Sequence, residues 1–372
     1  MAETPLEGHP DKLADLIADA LLDEFIRKDP YSRVSLEIMI HSGFTIVAGH
    51  VSTDGYVDIH THVRKTIKEV GYNRPEYNFD ADSSAVLTSI EEQSPDIATG
   101  ISSDGAGDTA TVVGFACDET PSYMPLPIYL SNLIASKLSE LRKSGNASFL
   151  RPDGKVLITV MYEDETPSFV KDIVVFCQHE PDVSSSTIFD FVYENVIKPS
   201  VPEHLLKGTN ILVNPSGRFV LGGPAADVGQ TGRKAVSDAY GDVAYSGGSS
   251  FSGKDPTKTD RTASYMARMM AKHVVASKLA RKCLVKMAYA FGVSHVIAFE
   301  VETFGTESVP VDVISKTLIK TFPTSPRGMI DMLSLRRPIY KSTACYGHFG
   351  KEYLPWEALN YLEPFLELQK SV

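Results

Sequence analysis

Hydrophobic and polar positions alternate along the chain in blocks of two different periods. Near residues 11–27 the apolar side chains Leu13, Ile17 and Leu21 recur every four residues, which places them on one face of a helix. Two β-rich runs follow with only Ser42-Gly43 between them, as in a hairpin. The first block therefore predicts a helix, two strands and a second helix over residues 11–27, 33–40, 44–51 and 57–70.

The same order of elements recurs twice further along the chain. The middle block predicts a helix, two strands and a helix over residues 128–142, 156–162, 169–177 and 187–196. The corresponding ranges of the last block are 257–280, 283–291, 295–301 and 310–321. Three such blocks indicate an α+β fold of three similar units, each with helices covering one face of a sheet. Because glycine and small polar residues accumulate near 98–107 and 221–223, we expect an N-terminal, a central and a C-terminal unit at 1–98, 109–221 and 222–372, joined by a short segment, 99–108.

Composition narrows the class of protein. The 372 residues include 36 Lys and Arg against 47 Asp and Glu, a net charge of −11. We expect no nucleic-acid partner, because binding to a phosphate backbone requires positive charge. No apolar run reaches the ~18–20 residues of a membrane-spanning helix, and the first residues show no signal peptide. The four cysteines show no CxxC spacing, which disfavours a zinc site or a disulfide framework. A cytoplasmic protein without a membrane partner is expected.

Two segments come close to known nucleotide-binding motifs. Residues 105–110, Gly-Ala-Gly-Asp-Thr-Ala, match the letters of the dinucleotide fingerprint. That fingerprint needs a strand before it and a helix after it, whereas a Gly- and Ser-rich stretch precedes it here, so the sequence favours a loop. Residues 248–254, Gly-Ser-Ser-Phe-Ser-Gly-Lys, resemble a P-loop, but Asp255 stands where Ser or Thr must hold Mg²⁺.

Positive charge is concentrated after the second segment. Residues 251–290 contain nine Lys and Arg and two Asp, a net charge of +7. With Asp255 as the cap of the following helix, Lys254, Lys258 and Arg261 share one face around its start. Cations gathered there make a site for a multiply charged anion. The alternative is a solvated helix face, which we expect for the outer residues Lys272, Lys278 and Lys282.

The first motif of the chain, residues 7–12, reads Glu-Gly-His-Pro-Asp-Lys. Pro10 suits the first turn of a helix, so His9 and Asp11 project from the helix start. A capped helix in which Asp11 complements the helix dipole explains the same residues without any catalytic role. Asp11 and Asp260 are nevertheless both hard oxygen ligands suited to Mg²⁺, which takes one or two carboxylates and leaves its other positions to water and phosphate.

Seven motifs follow one another between Glu7 and Trp356. In chain order they are Glu-Gly-His-Pro-Asp-Lys at 7–12, Gly-Ala-Gly-Asp at 105–108, Asn-Pro-Ser-Gly-Arg-Phe at 214–219, Thr-Gly-Arg-Lys at 231–234, Phe-Ser-Gly-Lys-Asp-Pro-Thr-Lys at 251–258, Val-Glu-Thr-Phe-Gly-Thr at 301–306 and Tyr-Gly-His-Phe-Gly at 346–350. In this order they resemble the methionine adenosyltransferase (S-adenosylmethionine synthetase) family. The resemblance covers nearly the whole chain.

The resemblance implies three similar units related by a pseudo-threefold axis, each a mixed sheet with helices on one face. It further implies a homodimer whose two sites lie between subunits, with two dimers forming a tetramer. The implied reaction joins ATP and L-methionine: the sulfur attacks C5′ of the ribose and expels triphosphate, which is hydrolysed to pyrophosphate and phosphate. The implied cofactors are Mg²⁺, two ions per site, and K⁺.

The resemblance also assigns roles to individual residues. It places His9 at the breaking C5′–O bond, and the cations that face the triphosphate are Lys155, Arg233, Lys234, Lys254 and Lys258. Asp11 and Asp260 would bind Mg²⁺, and Glu37 would bind K⁺. The other implied nucleotide contacts are Asp108, Asp153, Arg218, Phe219, Asp227 and Ser250. The implied methionine contacts are Gln93, His50, Asp227 and Lys258. The alternatives are that Phe219 is a core residue and Glu37 an ordinary surface acid.

The departures from the family pattern cluster around methionine binding. His50 stands where the family has a glutamate that contacts the methionine ammonium, and an imidazole lacks the matching negative charge. The segment 99–108, which gates the site in the family, is short here, and the strand expected before Leu6 is nearly absent. We expect an active synthetase. The alternative is a non-catalytic or altered-specificity paralogue that binds nucleotide or regulates a true synthetase.

Overall fold

The computed structural model describes residues 1–92, 105–247 and 249–370. The α-helices in these ranges are α1 (Pro10–Lys28), α2 (Ile59–Val70), α3 (Leu126–Lys143), α4 (Ser185–Val192), α5 (Lys198–Ser200), α6 (Ala235–Asp238), α7 (Thr259–Ala276), α8 (Val311–Thr321), α9 (Pro326–Met332) and α10 (Glu363–Lys370). The strands are β1 (Ala2–Pro5), β2 (Arg33–His41), β3 (Phe44–Ser52), β4 (Ala85–Glu91), β5 (Ala110–Cys117), β6 (Leu150–Glu163), β7 (Thr166–His179), β8 (Asn210–Val213), β9 (Gly229–Gln230), β10 (Lys282–Tyr289) and β11 (Ala298–Glu302).

The helix–hairpin–helix pattern of the first block is confirmed. Strands β2 and β3 pair in antiparallel register from Arg33–Ser52 to His41–Phe44. Alternate residues of β2 are buried, and α1 packs against this strand. Helix α2 begins two residues later than the pattern indicated, because the Asp58 side chain caps it by accepting a hydrogen bond from the Thr61 N–H at 3.1 Å.

The middle and last blocks are confirmed in the order of their elements, with altered lengths. In the middle block, α3, β6 and β7 are each longer than the range predicted for them. The helix predicted at 187–196 is split into α4, a π-helical turn at Tyr193–Ile197 and the short α5. In the last block, β11 begins at Ala298 instead of residue 295. The short strand β1 is present, although the sequence indicated that little of it remained.

Strands from different blocks combine in three sheets. Their strand orders are β1-β6-β7-β8, β11-β10-β5 and β4-β3-β2-β9. The first and last are mixed, since β7–β8 and β3–β4 pair in parallel, whereas the described pairs of the sheet containing β10 are antiparallel. Each sheet has one long helix against it: α3 on β6, α7 on β5 and β10, and α1 on β2. The fold is thus α+β with three sheets, while the pseudo-threefold axis stays a prediction.

The unit boundaries drawn from the sequence also stay a prediction, because strands near them pair across blocks. Strand β1, at the start of the chain, pairs with β6 of the middle block. Strand β5 lies just after the 99–108 segment but pairs along its whole length with β10 of the last block. The β5 strand begins at Ala110, so no helix follows the Gly-Ala-Gly-Asp motif, and the rejection of a dinucleotide fingerprint is confirmed.

The expected cationic face at the start of α7 is wrong. The helix begins at Thr259, with Lys258 as its N-cap residue, and Asp255 does not cap it. Asp255 is instead buried and accepts hydrogen bonds from the backbone N–H groups of Val34 and Thr257, both at 2.8 Å. Arg261 is fully buried and pairs with a buried carboxylate, so its charge does not add to those of Lys254 and Lys258.

The solvated face expected for Lys272 is wrong as well. Lys272 is buried, and its Nζ lies 2.8 Å from a Glu357 carboxylate oxygen. Arg268, one helical turn earlier, pairs with the same carboxylate at 3.0 Å. A buried cation requires such a partner, since a charge taken out of water without one is costly.

Two hydrophobic clusters form the core. The larger joins α1, β2, α7 and β10, and the smaller joins α3 to β6 and β7. Trp356 stacks on Tyr265 of α7 with ring centroids 3.7 Å apart. The four cysteines are free and buried. In the part of the chain that the structure describes, no helix is both long and apolar enough to cross a bilayer.

Candidate active site

A cavity of about 400 Å³ lies between the start of α1 and the sheet that contains β6. We call it the His9 cavity. Six residues that the sequence proposed as site residues line it together: His9, Asp153, Lys155, Arg218, Phe219 and Asp227. They come from four separate stretches of the chain, at residues 9, 153–155, 218–219 and 227, so only the tertiary structure brings them to one place.

His9 stands at the N-cap of α1, and its imidazole is held there by the backbone. The Asp11 N–H donates to His9 Nδ1 at 3.2 Å. Nδ1 therefore carries no proton, and in the neutral ring Nε2 is the donor. Burial, with Lys234, Lys155 and Lys12 adding positive charge nearby, lowers the pKa of His9 to about 4 against the opposing effect of Asp11. The ring is thus a neutral hydrogen-bond donor at physiological pH.

Asp11 connects this helix start to the Gly-Arg-Lys motif. One carboxylate oxygen accepts from the Gln230 N–H at 3.0 Å and the other lies 2.6 Å from Lys234 Nζ. Arg233 approaches the first oxygen at 3.6 Å. Burial opposes ionisation, yet the hydrogen bonds from Lys234 and Gln230 hold the pKa of Asp11 below its ordinary value. Asp11 therefore stays ionised with two cations beside it.

The far wall of the His9 cavity is built from Asp153 and the segment that follows Phe219. Asp153 accepts backbone N–H groups from Gly154 and Gly223, both at 2.7 Å, and burial raises its pKa to about 6. A Cβ added at Gly222 would lie 2.9 Å from the Phe219 ring, so glycine is needed for the ring to hold this position. The core alternative for Phe219 is not what the structure shows, because the half-buried ring lines the cavity.

Lys155 projects from β6 into the same cavity. Its Nζ lies 3.4 Å from both carboxylate oxygens of Glu3 on the adjacent strand β1. Arg218 and Asp227 are exposed at the cavity edge. Asp227 accepts a hydrogen bond from the Val228 N–H at 2.8 Å. The cavity thus presents the Phe219 ring, the cations Lys155 and Arg218, and the neutral imidazole of His9 to a ligand.

A second group of predicted residues lies around Lys254, which we call the Lys254 cluster. Lys254 Nζ lies 2.9 Å from Asp260 and 2.5 Å from the Ser249 hydroxyl oxygen. Lys258 Nζ lies 3.1 Å from Asp255. Asp108 joins the cluster through its backbone carbonyl, which accepts from the Thr259 hydroxyl at 3.3 Å.

Ser250 lies next to the Lys254 cluster in sequence and contacts the Gly-Arg-Lys motif at 232–234. A Cβ added at Gly232 would lie 2.5 Å from the Ser250 Cβ, so Ser250 packs directly against the residue before Arg233. This contact requires the glycine, whose φ of +82° also favours it.

One predicted methionine contact, His50, and the predicted potassium ligand, Glu37, lie on the β2–β3 hairpin. His50 is exposed on β3, opposite Ser35 on one side and Glu91 on the other. Ser35 also forms a bridge with Lys254, so His50 lies one strand away from the Lys254 cluster. Glu37 is exposed on β2. Gln93 and most of the 99–108 segment lie outside the described residues.

The carboxylates of the site are the candidate metal ligands. Across residues 1–92, 105–247 and 249–370, no three His, Cys, Asp or Glu side chains are grouped so as to hold a metal ion. Asp11 and Asp260 are instead single carboxylates, each beside a lysine. This donor set fits Mg²⁺, which needs only one or two protein carboxylates when phosphate oxygens and water supply the rest.

Three buried aspartates of α1 were not predicted from the sequence as site residues. Asp15, Asp19 and Asp23 continue from Asp11 at a spacing of four residues. That spacing on an otherwise apolar helix face was the signal available in the sequence, because carboxylates are rarely buried unless they are paired.

Comparison with known protein families gives a match over nearly the whole chain. Models of the N-terminal, central and C-terminal domains of S-adenosylmethionine synthetase match residues 1–95, 103–219 and 221–358 in turn. The chain belongs to the S-adenosylmethionine synthetase family. Both the His9 cavity and the Lys254 cluster fall within these matched ranges.

Full-length relatives agree with this membership. The S-adenosylmethionine synthase of Aquifex aeolicus is 58% identical over 369 residues, covering 99% of this chain and 98% of its own. The S-adenosylmethionine synthases of Thermus thermophilus and Desulforudis audaxviator are 48% and 47% identical, each covering 97% of this chain and 96% of their own. Such similarity does not favour the alternative of a non-catalytic paralogue.

Proposed function

We propose that this chain synthesises S-adenosylmethionine from ATP and L-methionine in the His9 cavity. The observation that carries the proposal is the meeting of the neutral His9 imidazole, the Lys155 ammonium and the Phe219 ring in one cavity. Adenine stacks on the Phe219 ring, with Arg218, Asp153 and Asp227 around the nucleoside. The cavity volume of about 400 Å³ is within the range of small-molecule sites.

The chemistry requires positive charge more than it requires a base. The methionine sulfur is a thioether without a proton, so its attack on C5′ needs no general base. The leaving triphosphate gathers negative charge as the C5′–O bond breaks, and fixed cations stabilise that charge best. Lys155, Lys234 and Arg233 supply it next to His9, and Lys254 and Lys258 supply it from the other cluster.

His9 contributes a hydrogen bond to the leaving oxygen. Its Nδ1 is occupied by the Asp11 N–H, so the Nε2–H is the group that donates to the ester oxygen of C5′. A neutral donor stabilises developing charge there without giving up its proton. The same cations then hold the triphosphate for hydrolysis to pyrophosphate and phosphate.

Two Mg²⁺ ions per site complete the proposed machinery. Bound Mg²⁺ neutralises phosphate oxygens and orients the triphosphate. Asp11 and Asp260 would hold these ions, and their lysine partners then turn to the phosphates. Glu37, the proposed K⁺ ligand, is an exposed acid on β2, and the alternative of an ordinary surface acid stays open for it.

The methionine contacts are the most divergent part of the proposed site. Lys258 and Asp227 would hold the amino acid, together with Gln93. His50 replaces a negatively charged residue with an imidazole, which carries no negative charge, so the methionine ammonium loses a counter-charge. We therefore propose weak methionine binding in this enzyme.

We also propose that the enzyme is a homodimer with its sites between subunits, further paired into a tetramer. Exposed apolar side chains on the sheet that contains β2 support this arrangement, including Met39 on β2 at 40% and Leu87 on β4 at 51% exposure. The four free cysteines are those expected in a reducing compartment, in agreement with the proposed cytoplasmic location.

The test is a single assay with matched variants. Purified protein is incubated with ATP, methionine, Mg²⁺ and K⁺, and the sulfonium product, pyrophosphate and phosphate are measured. Lys254→Ala is expected to abolish all three products. Lys286→Ala is the control, because Lys286 is also paired with acids, Glu300 at 3.1 Å and Glu302 at 3.5 Å, but lies on β10 outside both clusters. Full activity of Lys254→Ala would refute the proposed site.

A further inference from the structure

A row of four aspartates runs along one face of α1. We call Asp11, Asp15, Asp19 and Asp23 the aspartate row. All four are buried, with exposures between 0% and 8%. Residues four apart on a helix lie on one face, about 6 Å apart along its axis. Four buried carboxylates on one helix face are costly unless each is bound by something.

Each member of the row accepts a backbone N–H from a segment distant in sequence. The donors are Gln230 N to Asp11 at 3.0 Å, Gly232 N to Asp15 at 2.8 Å, Gly253 N to Asp19 at 2.9 Å, and Tyr340 N and Lys341 N to Asp23 at 2.8 and 2.9 Å. The middle two donors immediately precede Arg233 and Lys254. The last two belong to a segment outside both proposed clusters.

Strand β2 holds the same two segments from the opposite side. The Thr231 N–H donates to the Ile38 carbonyl at 3.0 Å, and the Leu36 N–H donates to the Gly253 carbonyl at 3.0 Å. The segments that carry Arg233 and Lys254 are therefore fixed between α1 and β2. Because backbone polar groups contact both sides, neither segment can shift without breaking several hydrogen bonds.

Asp19 fixes the Lys254 backbone through a second residue. Its carboxylate forms a bidentate pair with Arg261 at 2.7 and 2.8 Å, and both side chains are fully buried. Arg261 Nη1 also donates to the Lys254 carbonyl at 3.1 Å. The Asp19–Arg261 pair thus binds the Gly253 N–H and the Lys254 carbonyl, one on each side of the Lys254 Cα. Paired charges of this geometry are strong and directional.

Asp15 fixes the other segment through a similar buried network. Lys12 Nζ lies 2.8 Å from Asp15 and 2.5 Å from Asp238. One ammonium serves two carboxylates, and burial together with the charge of Asp238 raises the pKa of Asp15 to about 7 despite Lys12. The second oxygen of Asp15 remains for the Gly232 N–H, next to Arg233 and Lys234.

We propose that Asp15 and Asp19 are positioning residues that hold the backbone of the two cation-bearing segments in register with the triphosphate. The proposal rests on the proposed function of those cations and extends it to residues that do not themselves line the His9 cavity. A misplacement of about 1 Å in a charge that must meet a transition state costs about a hundredfold in rate. Asp15 and Asp19 therefore act through the position of Arg233, Lys234 and Lys254.

The matched experiment uses three alanine variants of the same row. Asp15→Ala and Asp19→Ala are expected to lower kcat about a hundredfold while the KM for methionine stays within threefold. Asp23→Ala is the control: it also removes a buried acceptor of backbone N–H groups and is also expected to lower stability, but its kcat stays within twofold. Asp15→Asn keeps an acceptor oxygen for Gly232 and is expected to recover at least tenfold of the lost rate.

Each result bears on the proposal. A kcat of Asp15→Ala and Asp19→Ala no lower than that of Asp23→Ala would overturn it, and so would the absence of recovery in Asp15→Asn. Where Asp19→Ala does not fold, Arg261→Lys replaces it: it keeps the charge but loses the bidentate contact, and the same loss of kcat is expected. Lys254→Ala is measured in parallel to distinguish failure of the positioning proposal from failure of the proposed site. Full activity of Lys254→Ala would refute the site itself.

Discussion

The protonation state of His9 is open to direct measurement. In the folded chain its pKa is lowered from 6.5 to about 4, mainly by burial and secondly by Lys234. Between these two values the unfolded chain binds a proton at this residue and the folded chain does not. Stability therefore rises with pH from 4 to 6.5 on account of His9, and the contribution is constant above that range.

The size of the effect follows from the two pKa values. One pKa unit corresponds to about 1.4 kcal/mol, so acidification from pH 6.5 to 4 costs the folded state about 3 kcal/mol through this residue. Other groups titrate over the same range, and a reference variant is needed to remove their contributions. His9→Asn serves, because asparagine still accepts the Asp11 N–H as an N-cap but carries no titrating group.

The assay is denaturant unfolding of both proteins at a fixed protein concentration between pH 4 and 7.5. We expect the stability of the natural chain, relative to that of His9→Asn, to fall by about 3 kcal/mol from pH 6.5 to 4. The titration of the His9 ring protons by NMR, assigned from the same variant, gives the pKa itself. A pKa of 6.5 or above would refute the account of His9 as a neutral donor. Replacing Lys234 with Met should raise the pKa but leave it below 6.5, since burial is the larger cause.

Three further predictions concern the methionine site, the phosphate cluster and the core. His50→Glu is expected to lower the KM for methionine and leave the KM for ATP unchanged, as measured by steady-state kinetics; an unaltered methionine KM would remove His50 from the substrate site. Lys254→Ala is expected to abolish turnover with little change in the free energy of unfolding, because its side chain is partly exposed. Glu357→Gln is expected to lower the free energy of unfolding by about 3–5 kcal/mol, because it leaves the buried Arg268 and a neighbouring lysine without a counter-charge. The exposed Glu300→Gln is its control and should change stability by no more than about 0.5 kcal/mol.

Local periodicity predicted the elements of this chain because it records which side of each element is buried. The limits of α1, β2 and β3 were predicted to within one or two residues, since apolar spacing, a turn at Ser42-Gly43 and a proline at the helix start all act locally. The motifs were equally visible in the sequence and indicated the family that the domain models then established. Where a side chain caps a helix, as Asp58 does, the boundary moved by a turn or less.

Charge was predicted poorly, because the partner of a buried ion lies far away in sequence. The positive charge of residues 251–290 indicated a surface for anions, yet Arg261 is neutralised by Asp19, 242 positions away, and Arg268 by Glu357. Only Lys254 and Lys258 of the expected face remain near the proposed phosphate site. Net charge over a segment cannot reveal this, since burial decides which ions must be paired.

The sequence alone determined the secondary structure elements, the family and the residue types that can bind a polyanion. The tertiary structure decided that β1 pairs with β6 and β5 with β10. It also decided that His9 meets Lys155 and Phe219, and that the aspartate row accepts hydrogen bonds from distant segments. The physical reason is the range of the interactions. Helix periodicity and capping depend on neighbours a few residues away, whereas sheet pairing and the desolvation of charges depend on which distant segments pack together.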